Sequence, residues 1–162
     1  MSSTHVTIGA LMTAEHPRIL VCFDGASHSL DAIDHIQRLC PSATLDILVV
    51  DDAHSESAAQ ASADRGAAFA RDRGFVAHTL VRSGDHVAQV ILDTADPSTY
   101  DAVLLGTRVG AGLEAAVLRS IPSAVSMHAR IPVILDRAHV PHAPDTFTDA
   151  EIDAQLPAIS GR

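Results

Sequence analysis

The sequence predicts an α/β fold, a three-layer open doubly wound sheet of five parallel strands with helices on both faces. Three observations predict it. Five short apolar runs alternate with helical stretches, so every strand-to-strand crossover is long enough for a right-handed parallel connection. The runs are largely unbroken rather than alternating, as expected of strands covered on both faces. Hydrophobic residues make up 47% of the chain but aromatics only 3%, with no Trp, so the core must come from Val, Ile, Leu and Ala.

Residues 1–16 have no steady period and read as an N-terminal extension, with Val6-Thr7-Ile8 a candidate edge strand. The first strand of the domain is 18–23, and Asp24-Gly25-Ala26-Ser27 turns it into a helix with Ser27 as its expected cap. Leu30, Ile33, Ile36 and Cys40 put one apolar stripe on that helix until Pro41 forbids continuation. Residues 44–50 form the second strand, closing on Asp51-Asp52, and 55–73 form an Ala-rich helix with Gly74 placed as a left-handed C-cap. The third strand is 75–81. Gly84-Asp85 opens a helix with Val87, Val90, Ile91 and Thr94 on one face, which Asp96-Pro97 breaks. The fourth strand, 102–105, runs into Gly106, and Ser120-Ile121-Pro122 is expected to open a last helix over 120–129. The fifth strand begins at Ile131 and ends at Leu135.

One domain of 17–137 therefore carries the fold. Residues 138–162 begin as a linker with Pro141 and Pro144. They end in a capping box, Thr148-Asp149-Ala150-Glu151, whose short helix places Ile152 and Leu156 on one face. Two turns are too short to persist alone, so this helix is expected to dock on its own domain or on a protein partner.

Composition excludes several function classes. The formal charge is −9, with eleven Arg and no Lys, which argues against a nucleic-acid surface. Without Lys there is no Walker loop and no Schiff-base chemistry. Two Cys, Cys22 and Cys40, form no disulfide framework and read as core thiols of a reducing cytosol. No leader-like segment opens the chain and no apolar run is long enough to span a bilayer, so a cytoplasmic, membrane-free protein is expected.

In an open sheet, ligands sit beyond the carboxyl ends of strands where the winding reverses. With spatial order 3-2-1-4-5 the reversal falls between the first and fourth strands, and Asp24 and Gly106 face each other across one crevice. The stretch after the fourth strand has the look of a phosphate cradle. Gly106, Gly110 and Gly112 allow turns that side chains forbid, and Ser120 stands at an expected helix start whose N–H groups lack internal partners.

The residues Val21-Cys22-Phe23-Asp24-Gly25-Ala26-Ser27, the strand through Val49 and Val50, Gly84-Asp85, Leu104-Leu105-Gly106-Thr107-Arg108 and Ile131-Pro132-Val133-Ile134-Leu135 resemble the universal stress protein family in order and spacing. The resemblance covers residues 18–137. It implies an adenine nucleotide alpha hydrolase-like fold with the same sheet order, homodimerisation through the fifth strand (Ile131 to Leu135), and a crevice that in some members holds ATP. The resemblance also implies a backbone reading of adenine near Val49 or Val50, and an acid at Asp24 near the adenine or a metal. ATP-binding members carry Gly, two residues, Gly, nine residues, Gly, then Ser or Thr. Here that pattern reads Gly106, Val109, Arg119, Ser120, so both later glycines are replaced. Pro122 also removes an N–H donor. Arg119 can fill the phosphate space, pair with phosphate oxygens, or reach Asp24 as an ion pair.

Candidate crevice residues are Asp24, Gly25, Val50, Gly106, Arg108, Gly110, Arg119, Ser120 and Ile121, with no catalytic residue and no metal ligand. The cofactor, if there is one, is ATP or AMP. Gly25-Ala26-Ser27-His28-Ser29 has the context of a nucleophile elbow, but Ser29 replaces its second glycine. His28 and His35 share a helix face and His139-x-x-His142 lies in the linker, neither with further ligands at zinc spacing. Asp51-Asp52 reads as two solvated carboxylates. The expectation is a binding or regulatory module that is not a robust ATP binder; the alternative is an adenine-nucleotide binder with slow or no hydrolysis.

Overall fold

The computed structural model describes residues 15–52, 55–107 and 113–137, with residues 113–120 described in backbone only. The N-terminal edge strand, the linker histidines and the tail helix lie outside the described residues. Five strands form one parallel sheet: β1 (Arg18–Cys22), β2 (Thr44–Asp51), β3 (Val76–Ser83), β4 (Ala102–Thr107) and β5 (Val133–Arg137), in the spatial order β3-β2-β1-β4-β5. Four helices connect them: α1 (Ser27–Leu39), α2 (Glu56–Asp72), α3 (Val87–Thr94) and α4 (Leu113–His128).

The unbroken apolar runs still obey the two-residue period of a strand, one half going to each face. Ile19, Val21, Phe23, Leu45, Ile47, Val49 and Leu104 pack against α1 and α2. Leu20, Leu48, Val103 and Leu105 pack with Ile91 of α3 and Val125 of α4. Helix α2 meets the sheet through small residues, Ala59, Ala63, Ala67 and Ala70, so its backbone lies close to the strands. It ends as expected at Gly74, whose φ of +88° is left-handed. The Phe75 N–H bonds the Ala70 carbonyl and the Gly74 N–H bonds the Arg71 carbonyl, the paired bonds of a Schellman motif.

Several boundaries differ from the sequence expectation. Strand β3 starts at Val76 and runs on through Arg82 and Ser83, because β2 continues to Asp51 and offers them ladder partners. Strand β5 is shifted from 131–135 to Val133–Arg137. Pro132 has no N–H to give a ladder, although its carbonyl accepts from Val103.

The largest correction concerns the last helix. It begins at Leu113 rather than at Ser120, and Pro122 lies inside it. Leu113-Glu114-Ala115-Ala116-Val117-Leu118-Arg119 is a run of mostly strong helix formers, and Arg119 occupies the place where a glycine would have interrupted it. Pro122 deprives the Leu118 carbonyl of its usual partner but does not stop the helix.

Candidate functional site

The turn after β1 and the end of β4 stand side by side, since Cys22 pairs with Leu105 across neighbouring parallel strands. A crevice of about 860 Å³ opens there, a volume ordinary for a small-molecule site. Its floor is the carboxyl ends of β1, β2 and β4, and its walls come from α3 and the second half of α4. The lining is divided. Leu48, Val50, Val87, Ile91, Leu105 and Ile121 make an apolar wall, while Asp24, Asp52, Ser123, Ser126 and Arg137 supply polar groups.

Of the residues expected at this site, Asp24, Val50, Gly106 and Ile121 all line the crevice. Gly25 does not. Its carbonyl turns toward the other face of the sheet and accepts a hydrogen bond from Arg65 of α2. Arg108 and Gly110 lie outside the described residues, as do the side chains of Arg119 and Ser120. The backbone at Ser120 is described, and it corrects the expected cradle. Ser120 is the eighth residue of α4, where N–H groups already bond within the helix and none is free to meet an anion.

Gly106 plays a different part from the one expected of it. It lies inside β4 and has no left-handed conformation. A Cβ at this position would stand 2.5 Å from the His28 carbonyl oxygen, 2.9 Å from its carbon and 3.1 Å from Ser29 Cα. The glycine is required by the close seating of α1 on β4 rather than by a turn.

Asp24 is occupied by its own helix. One carboxylate oxygen, Oδ1, accepts from the Ala26 N–H at 2.9 Å and from the Ser29 hydroxyl at 2.7 Å. Oδ2 lies 3.1 Å from His28 Nε2. Partial burial pushes its pKa up, but the Ser29 hydroxyl, the Ala26 amide and His28 outweigh that and hold the carboxyl below its usual range. Asp24 thus closes the start of α1, and Ser27 does not: Ala26 is the N-cap, without a side-chain cap bond. Ser27 is exposed and stands outside the crevice lining, so no nucleophile elbow forms.

The helix pair His28 and His35 is also divided. His28, 6% exposed, meets Asp24, while His35 Nδ1 lies 2.7 Å from Asp136 Oδ1 on β5. Among the described residues no group of three or more His, Cys, Asp or Glu is arranged to hold a metal ion. Cys22 lines the crevice, but burial pushes its thiol up to about 12, far from a reactive thiolate. Asp51 is not solvated. It is 6% exposed and accepts the Ser55 N–H at 2.8 Å, while Asp52 faces the crevice.

Residues the sequence reading missed are His28, Val87, Ile91, Ser123, Ser126 and Arg137. His28 had a signal in its four-residue spacing from Asp24, and Arg137 in its place at the carboxyl end of a strand. The α3 and α4 residues had none, because only packing turns those helix faces toward the crevice.

A family model described as the universal stress protein family matches residues 16–137. No curated protein sequence matches the chain. Among solved structures, a universal stress protein in complex with cAMP is similar with a TM-score of 0.64 and 20% identity, covering 76% of this chain and 98% of that one. A universal stress protein family protein from Arabidopsis thaliana with AMP bound matches with a TM-score of 0.60 and 12% identity, covering 80% and 97%. The universal stress protein from Archaeoglobus fulgidus in complex with dAMP matches with a TM-score of 0.56 and 15% identity, covering 74% and 96%. At such identities the likeness is one of fold.

Proposed function

The chain belongs to the universal stress protein family, and from that premise we propose that it is a cytoplasmic binding and regulatory module without robust catalysis. Its crevice takes an adenine nucleotide of low phosphate charge in preference to ATP. The observation that carries this reading is the start of α4 at Leu113, which leaves Ser120 without free N–H groups to gather a phosphate chain. Asp24 and Asp52 add negative charge to the crevice, unfavourable to a triphosphate and milder toward a single phosphate. The apolar wall around Val50, Ile91 and Leu105 suits a base, and Arg137, Ser123 and Ser126 are available to one phosphate. Structures of the same fold in complex with cAMP, AMP and dAMP support the choice.

Self-association through the β5 edge belongs to the same proposal. Among the described residues this strand has a neighbour on one side only, and Leu135 (43% exposed) and Met127 (75% exposed) leave apolar surface beside it. No helix among the described residues is long and apolar enough to cross a membrane.

Thermal melting with millimolar AMP, cAMP and Mg-ATP, on protein shown to carry no co-purified ligand, tests the crevice reading. A concentration-dependent rise with AMP or cAMP that exceeds the rise with Mg-ATP is expected. A larger rise with Mg-ATP, or none with any of the three, refutes it.

A further inference from the structure

Toward the β3 edge of the sheet a second groove, of about 650 Å³, runs between α3 and the outer strand β3, from Arg82 and Ser83 at the carboxyl end of that strand to Arg18 and Asp46 near the amino ends of β1 and β2. It shares no lining residue with the crevice. His78, Leu80 and Arg82, alternating along β3, form one side; Val90, Asp93 and Thr94 of α3 form the other. Asp46 of β2, Arg18 of β1 and Tyr100 close the inner end.

Asp46 is the anomaly. It stands among the apolar residues of the interior strand β2, and its side chain is only 5% exposed. All its hydrogen bonds fall on one oxygen. Oδ2 accepts from Arg18 Nε at 3.1 Å, Arg18 Nη2 at 2.7 Å and the Tyr100 hydroxyl at 2.8 Å. Oδ1, equally buried, has no hydrogen-bond partner among the described residues. A buried carboxylate retained only for folding should be satisfied on both oxygens, because an unmet acceptor opposes folding. Asp136 shares the one-sided pattern but lines neither cavity; Asp46 lines the groove, where its bare oxygen is an acceptor for a donor from elsewhere.

The charges around it narrow the ligand. A metal ion is disfavoured by two guanidiniums, Arg18 and Arg82, in the same lining. A simple anion is disfavoured by the carboxylates of Asp46 and Asp93. A molecule carrying both signs meets neither obstacle. Arg18, with a side chain 45% exposed, covers Asp46 and is free on its solvent side to turn toward an incoming group. Arg82 spends one N–H on the Val81 carbonyl, which leaves four others. Leu80, Val90 and the Tyr100 ring provide an apolar strip for a side chain.

We propose that this groove is a ligand site distinct from the crevice, which takes a free α-amino acid or a similar small amino-carboxylate. The ligand's ammonium donates to Asp46 Oδ1 once Arg18 swings aside, and its carboxylate is held by Arg18 and Arg82. No bond is made or broken; the site senses its ligand.

Proton–nitrogen correlation spectra of the full chain, titrated separately with glycine, serine and glutamate at millimolar concentration, test this. At least one of the three is expected to move the amides of Asp46, Arg82 and Tyr100 in a saturable way and leave those of Asp24 and Gly106 in place. Asp46→Asn is expected to abolish the response. Arg82→Ala, at an exposed position on the sheet edge, is expected to weaken binding roughly tenfold by removing a charge-assisted contact. If Asp46→Asn does not fold, Arg82→Ala carries the test. No shift with any of the three, shifts confined to Asp24 and Gly106, or undiminished binding in Arg82→Ala overturns the proposal.

Discussion

Replacing Gly106 with Ala sets a methyl group against backbone. The added carbon would lie 2.5 Å from the His28 carbonyl oxygen, 2.9 Å from its carbon and 3.1 Å from Ser29 Cα, and no rotamer change can move any of these. Contact at ordinary van der Waals distance requires the first turn of α1 to lift from β4 by about 1 Å, judged against the ~3.5 Å of an unstrained contact. That displacement loosens the packing of Ile33 and Ile36 on Leu104, all fully buried or nearly so. Overpacking typically costs about 1–3 kcal/mol, and an obstruction made of backbone puts this case at the upper end, roughly 3 kcal/mol. In a domain of this size that lowers Tm by about 6–12 °C. Urea unfolding followed by circular dichroism should show a lower midpoint at unchanged slope, with no nucleotide present. A change within about 0.5 kcal/mol would refute the packing argument and return Gly106 to the role of a phosphate-approach glycine.

Three further outcomes are expected. The Asp24 carboxyl is held below its usual range, so its stabilisation is complete above pH about 4 and is lost as pH falls through the lower folded value. The stability gap between wild type and Asp24→Asn should therefore be constant above pH about 5 and shrink in acid; a gap unchanged to pH about 2 contradicts this. Tyr100 is the single tyrosine of the chain, and burial followed by its hydrogen bond to Asp46 pushes its phenol up to about 12. Phenolate absorbance should appear near that value rather than near the ordinary ~10, and the stability tied to it should be whole below pH ~10 and decline above; ionisation at ~10 in folded protein contradicts the burial argument. Finally, Leu135→Glu should convert a dimer to a monomer in sedimentation at micromolar concentration while changing monomer stability by no more than about 0.5 kcal/mol. A variant that sediments as wild type removes β5 from the interface.

The features legible in the amino-acid order were local and periodic. The unbroken runs at 19–23 and 102–105 pointed to buried parallel strands, because only a sheet covered on both faces leaves no polar side. Gly74 marked a helix end through the conformation it alone adopts cheaply, and the spacing of the runs implied crossovers that bring Asp24 and Gly106 to one end of the sheet. The structure bears out each of these. The start of α4 was less legible. Ser120 before a proline looks like a cap, and the run of helix formers from Leu113 onward extends the helix past that local signal.

Tertiary structure alone decided what each residue is for. Gly106 reads as a turn former in one dimension and is a spacer for α1 in three, because the obstructing carbonyl belongs to a residue seventy-eight positions away in sequence. Asp24 reads as a ligand for metal or adenine, yet its oxygens are taken by the helix it begins. Asp46 looks like a stray charge in β2 until Arg18 and Tyr100 converge on it from a neighbouring strand and from the turn before β4. Periodicity reports which face a side chain occupies. Who meets it there depends on contacts between distant segments, and these form only when the sheet closes around its crossovers.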